Sequence, residues 1–224
     1  MKPLVFAIVA WMVPGVPMGM PMGFLTGGVL VAPPGKTAPA GGAGQAKPGQ
    51  PAMPAGHPGL VTGDPTVNWP KARPEDVASI DAILAAMYSV PAGSAGQARD
   101  WDRYRSLFTP DARLIPARGD GKGGAMAMYV TITDYISLNR TYFEKGGFTD
   151  KEIGRKVETF GNIAQVWSVF ESRHDAKEPE PYIRGVNSIQ LLKDGDRWWV
   201  VNVFWDFEGP GVTIPPEFLQ NAKP

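Results

Sequence analysis

Residues 151–208 read KEIGRKVETFGNIAQVWSVFESRHDAKEPEPYIRGVNSIQLLKDGDRWWVVNVFWDFE. Four runs within it are dense in Val, Ile, Phe, Tyr and Trp: Glu152–Phe160, Ile163–His174, Tyr182–Lys193 and Arg197–Phe207. Side chains of this kind fit a pleated, half-buried surface. The breaks between the runs are turn chemistry: Gly161-Asn162, then Asp175–Pro181, then Asp194-Gly195. Asp-Gly is a strong hairpin signal because both residues tolerate the positive φ of a type I′ turn. The stretch predicts four consecutive antiparallel strands.

A two-residue turn at Asp194-Gly195 fixes a register for the last pair. Leu191 then lies opposite Trp198, Ile189 opposite Val200, Asn187 opposite Asn202 and Gly185 opposite Phe204. Side chains alternate across a sheet, so this assigns two faces. One carries Trp198, Val200, Phe204, Ile189 and Leu191, with Asn187, Asn202 and Asp206 among them. The other carries Trp199, Val201, Val203, Trp205 and Phe207, beside Tyr182, Arg184 and Val186. A bulge would swap the faces of one strand. In the first hairpin, a Gly161-Asn162 turn sets Phe160 against Ile163 and Val157 against Val166. Ile153, Ser168, Phe170, Ser172 and His174 then share the core face.

Composition limits the rest of the chain. Most of the 23 prolines and many of the 27 glycines fall between residue 14 and about residue 70, in runs such as Pro33-Pro34-Gly35 and Ala40-Gly41-Gly42. Such a segment cannot bury enough apolar surface to offset chain entropy. Lys plus Arg and Asp plus Glu number 22 each, so no net charge draws the protein to nucleic acid or acidic lipid. Cysteine is absent, which excludes disulfides, thiolate metal sites and a cysteine nucleophile. Lys2 followed by the apolar run Leu4–Val13 has the pattern of a secretory signal, and its apolar run is about half the length of a membrane span. The expected division is a signal peptide over 1–31, a disordered Pro/Gly-rich linker over 32–71, one folded domain over 72–208 and a C-terminal extension over 209–224. The protein is expected in the periplasm or outside a bacterial cell, with no stable membrane span.

The first half of the domain reads as helical. Pro74-Glu75-Asp76 opens a helix whose Val77, Ile80, Ile83, Leu84 and Met87 recur on one face. Asp100 can cap a short second helix with Trp101, Tyr104, Leu107 and Phe108 as its apolar stripe. A strand over Ala112–Pro116, a glycine-rich loop and a strand over Met126–Ile132 follow. A third helix then runs to Glu144 and presents Tyr135, Ile136, Leu138, Tyr142 and Phe143. The glycines of the loop do not precede the lysine and helix of a phosphate-binding loop. Helices followed by one long antiparallel sheet are an α+β order.

The run Asp-Trp-Asp-Arg-Tyr-Arg-Ser-Leu-Phe-Thr-Pro-Asp-Ala at 100–112 and the Asp-Gly-Asp-Arg-Trp-Trp-Val-Val at 194–201 carry a resemblance. Over about residues 74–208 the chain resembles the nuclear transport factor 2-like superfamily, and within it the SnoaL-like bacterial branch. The resemblance implies a cone: a strongly curved antiparallel sheet wrapped around about three N-terminal helices, with a pocket inside. The superfamily holds isomerases, dehydratases, cyclases and plain binding domains, so the fold does not give the function. Ketosteroid isomerases of this fold place a catalytic aspartate where this chain has Pro116, which argues against that chemistry. Members often pair through the outer sheet face, and a homodimer is the expectation here.

Site residues follow from the predicted faces. Asp206 is the carboxylate expected at the pocket mouth, where desolvation would raise its pKa toward a general base. His174, at a strand end near the rim, is the second catalytic candidate. The ligand-binding candidates are Asn187 and Asn202, which would face each other among apolar neighbours, with Trp198, Phe204, Tyr142 and Arg140. Each asparagine could equally satisfy the other. The other histidine, His57, lies in the Pro/Gly-rich segment, so neither a metal nor a cofactor is expected. Two functions remain open: a domain that binds a small hydrophobic molecule without catalysis, and a lyase or isomerase using Asp206 as general base.

Overall fold

The predicted hairpins form, and each contains one extra residue that the alternation of side chains does not betray. The computed structural model describes residues 68–120 and 123–219. Expectations that fall on residues 1–31, and on nearly all of the linker, lie outside the described residues. The first hairpin pairs β4 (Thr149–Phe160) with β5 (Ile163–Arg173), and its turn-proximal register is the expected one, Phe160 opposite Ile163 and Val157 opposite Val166. The shift comes further out. Gly154 pairs with Val169 but Glu152 pairs with Phe170, so Ile153 is the extra residue. β4 also starts at Thr149 rather than Glu152, which adds the pair Asp150 and Ser172. Two residues facing one on the partner strand reverse the faces beyond that point, so Asp150 and Glu152 join the core side in place of Ile153.

The second hairpin pairs β6 (Ile183–Asp194) with β7 (Arg197–Phe207). Its turn is Gly195-Asp196, with Asp194 opposite Arg197 and Gly195 at φ 59°. This moves the pairing by two residues and leaves the faces as expected as far as Val200, which pairs with Leu191. Asn202 then pairs with Gln190, so Val201 is skipped. Beyond the bulge Val203, Trp205 and Phe207 turn inward, and Asn202, Phe204 and Asp206 turn outward. Burial follows: Val203 and Trp205 are buried, while Phe204 is 44% exposed. The outer patch expected from Val203, Trp205 and Phe207 does not exist.

Among the described residues seven strands form one curved, open sheet in the order β2-β1-β7-β6-β5-β4, where β1 is Phe108–Gly119, β2 Ala125–Ala127 and β3 (Val130–Thr131) pairs with β1. All neighbours are antiparallel except β1 and β7, which run parallel from Phe108 opposite Val200 to Pro116 opposite Trp205. The expected first helix is two pieces, α1 (Pro74–Val77) and α2 (Ile80–Ser89). Ser79 separates them with an extended backbone and caps α2 by accepting the Ala82 N–H at 3.0 Å. α3 (Trp101–Arg105) is capped by Asp100 as expected. α4 (Ile132–Gly146) buries Ile132, Ile136, Asn139 and Phe143 against the sheet. Gly147 ends it at φ 75°, where a Cβ would run into the His174 carbonyl. The loop between α2 and α3 is pinned by buried Arg99, whose guanidinium donates to the carbonyls of Pro91, Gly93, Gln97, Ser94 and Phe143.

The C-terminal extension returns over the outer face. Ile214 is buried, and Phe218, in a 3₁₀ turn at Pro216–Phe218, stacks on Trp167 with ring centres 5.2 Å apart. Val169, an outward residue of β5, is fully buried. Among the described residues no helix is long and apolar enough to cross a membrane.

Candidate functional site

The inner face of the sheet and the helices enclose a cavity of about 70 Å³. Each layer contributes to its wall. Tyr88 and Met87 come from α2, Tyr104 from α3, Tyr135 and Phe143 from α4, and Phe170, Asn187, Val203, Trp205 and Phe207 from the sheet. Asp150 and Ser172 face each other as the second residue pair of the β4–β5 ladder and line the cavity together. The Ser172 hydroxyl donates to the Asp150 carboxyl. Burial pushes that carboxyl up to about 7, the serine hydrogen bond working against it. The tyrosines Tyr88, Tyr104, Tyr135 and Tyr182 are held protonated, their pKa values raised by burial before any other cause.

A second polar chain leads from the cavity wall toward the surface. The Asn187 amide donates to the Tyr88 hydroxyl at 2.9 Å, which is 2.7 Å from the Ser168 hydroxyl. Ser168 donates in turn to Glu152 at 2.5 Å. Because Tyr88 accepts from Asn187 and Ser168 donates to Glu152, the tyrosine proton is directed to Ser168. Glu152 is closed by Arg155, which also reaches Asp81 at 2.6 Å. These buried groups are each partnered, as buried polar groups must be, and the chain fixes Asn187 at the wall.

Of the catalytic and ligand-binding candidates Asn187 alone lines this cavity, beside Phe170, which was expected on the core face. His174 sits at the rim: its ring stacks on Tyr182 at 4.3 Å, its Nε2 lies 3.3 Å from the Tyr142 hydroxyl, and Glu178 is 3.6 Å from Nδ1. Tyr142 therefore meets His174 rather than the cavity. Trp198 is a core residue toward the other end of the sheet. Arg140 is exposed and pairs with Glu144 at 3.3 Å. Asn202, Phe204 and Asp206 lie on the outer face, a correction to the expected pocket whose cause is the Val201 bulge. Asp206 is exposed and accepts the N–H of Phe207 at 2.7 Å.

Asp150, Ser172, Tyr182 and Tyr104 are among the lining residues that the expected pocket lacked, as are Val203, Trp205 and Phe207, which were expected on the outer face. Asp150 precedes the run that reads as a strand, and its inward direction depends on the extra residue Ile153. The alternation Ser168, Phe170, Ser172 on one face was a usable signal, since serines on a core face need a polar neighbour. No group of three His, Cys, Asp or Glu able to hold a metal ion occurs among the described residues.

No protein-family model and no curated protein matches the chain. Solved structures do. A protein of unknown function with a cystatin-like fold from Nostoc punctiforme is 11% identical at TM-score 0.44, covering 58% of this chain and 88% of its own. A nuclear transport factor 2-like protein of unknown function from Silicibacter pomeroyi is 13% identical at TM-score 0.42, with 58% and 94% covered. Another from Shewanella baltica is 14% identical at TM-score 0.39, with 59% and 98% covered. Two of these three neighbours are described as nuclear transport factor 2-like.

Proposed function

We propose that this nuclear transport factor 2-like domain binds a compact small molecule inside the cone, with Asp150 as the polar anchor. One observation carries the reading: a carboxyl group stands on an aromatic cavity wall with a single hydroxyl as its hydrogen-bond partner among the described residues. Burying a carboxyl in this way disfavours folding. A fold that needed only packing gains nothing from it. The volume, about 70 Å³, is small beside the ~300–1,000 Å³ of pockets for drug-sized ligands, so the ligand has few heavy atoms. Native mass spectrometry of protein from its own host tests the reading. A retained mass that disappears in Asp150→Asn supports it. A bare parent protein whose melting no small compound shifts ends it.

A lyase or isomerase is the second reading, and it rests on the same group. With its pKa near 7, Asp150 exchanges a proton at neutral pH, as a general acid or base must. Asp150 thus takes the role expected of Asp206. Asp150→Asn would then cost orders of magnitude in rate, and Asp206→Asn little.

Export and self-association complete the proposal. The charged and apolar pattern of Lys2 and Leu4–Val13 supports export, which cell fractionation tests. Pairing of two copies through the outer sheet face would cover exposed Phe204. Phe204→Glu should then shift sedimentation from dimer to monomer, and a monomeric parent would remove the idea.

A further inference from the structure

We infer that the ligand of the cone cavity is a compact organic cation, a protonated or quaternary amine, held between the Asp150 carboxylate and the aromatic wall. The inference rests on the binding reading above and names its ligand class. Nine of the seventeen lining residues are aromatic, and none is Lys, Arg or His. An anion would therefore find no counter-charge among the described residues of the wall. A neutral apolar molecule would leave the carboxyl desolvated without compensation. A cation answers both, because it supplies the charge that the chain withholds, and aromatic rings attract cations through the negative potential of their faces.

The surroundings agree with this choice. The other ionisable groups on the wall are tyrosines that burial keeps neutral, Tyr88 from α2, Tyr104 from α3, Tyr135 from α4 and Tyr182 before β6. Glu152, on the same strand as Asp150, is occupied by Ser168 and Arg155. Arg99, behind Pro91 and Phe143, is engaged by backbone carbonyls. His174 lies against Tyr182 and beside Glu178. Asp150 is then the single wall group whose charge can change near neutrality, from a protonated acid in the empty cavity to a carboxylate with the cation bound. Binding releases its proton, so apparent affinity falls about tenfold per pH unit below pH ~7 and levels off above.

The full chain is titrated at pH 8, by calorimetry and by melting temperature, with ethylammonium and tetramethylammonium against tert-butanol and acetate at matched ionic strength. We expect at least one of the two cations to bind and to raise the melting temperature, with no response to the neutral or anionic probes. Asp150→Asn, close in shape to the parent, should melt cooperatively and lose the response. The parent itself should bind the cation more than tenfold more weakly at pH 5.5. Binding of tert-butanol or acetate without the cations, or a cation response that persists in Asp150→Asn or is flat with pH, overturns the cation assignment and leaves the cavity as a binding site. Failure of all four probes, together with no retained mass from the host, removes both.

Discussion

Each of the two hairpins carries a bulge, and the two bulges act on opposite kinds of residue. In β4 the extra residue is Ile153, and the strand beyond it turns Asp150 and Glu152 inward. In β7 it is Val201, and the strand beyond it turns Asp206 outward while drawing in Val203, Trp205 and Phe207. One aspartate is exchanged for another. In an uninterrupted ladder Asp206 would stand on the cavity side and Asp150 in solvent. The difference teaches that a buried carboxylate in a sheet is placed by counting residues from the turn, and one miscount moves the chemistry to the other face.

Trp205→Asp is the strongest way to break the contrast. It sets a second carboxyl on the cavity face beyond the Val201 bulge, in place of a buried indole that lines the cavity. Losing that side chain should cost ~3–5 kcal/mol. Chemical denaturation should show a loss of that size, and a variant as stable as the parent would mean that position 205 faces solvent, as an unbroken ladder would have it.

Asp150→Asn has a smaller effect with a definite sign. The folded pKa is raised to about 7, above the ~3.9 of an unfolded aspartate. Between these values the native protein holds a proton that the unfolded chain has lost. The stability tied to that proton is full below pH ~4 and is lost as pH rises to ~7. The amide variant escapes this loss. It should melt with the parent at pH 4 and be more stable by on the order of 1–3 kcal/mol at pH 8. Equal stabilities at both pH values would place the carboxyl in water. Asp206→Asn sharpens the comparison from the other side: chemical denaturation should find a change within ~0.5 kcal/mol at either pH, as for an exposed substitution.

Much of the fold was legible because its signals are local. Gly161-Asn162 and the glycine after Asp194 announce turns, and Asp100 announces α3 by its side-chain oxygen. Ser79 could have been read as a cap, but the apolar spacing of Val77, Ile80, Ile83 and Met87 runs straight through it. The site was less legible. Trp198 to Phe207 is apolar at nearly every position, so polarity cannot report which residue of β7 is skipped, and no glycine marks the bulge. Asn187 faces the cavity because β6 keeps its faces throughout; Asn202, Phe204 and Asp206 face outward because they follow Val201. Tyr142 and His174 meet each other through the packing of α4 on the strand end, a contact between distant segments that no local pattern encodes.

The close approach of the C-terminal extension to Gly154 has a consequence for how the site could be switched off. Gly154 directly follows the extra residue Ile153, and a side chain there would run into the carbonyl of Phe218. The turn at Pro216–Phe218 is thus a brace behind the irregularity that directs Asp150 inward. Proteolytic clipping near Pro215 would leave the cavity residues untouched and remove the brace. Amide hydrogens of Asp150 to Gly154 would then exchange faster than those of the turn at Gly161, since openings of the ladder would begin at the unsupported end.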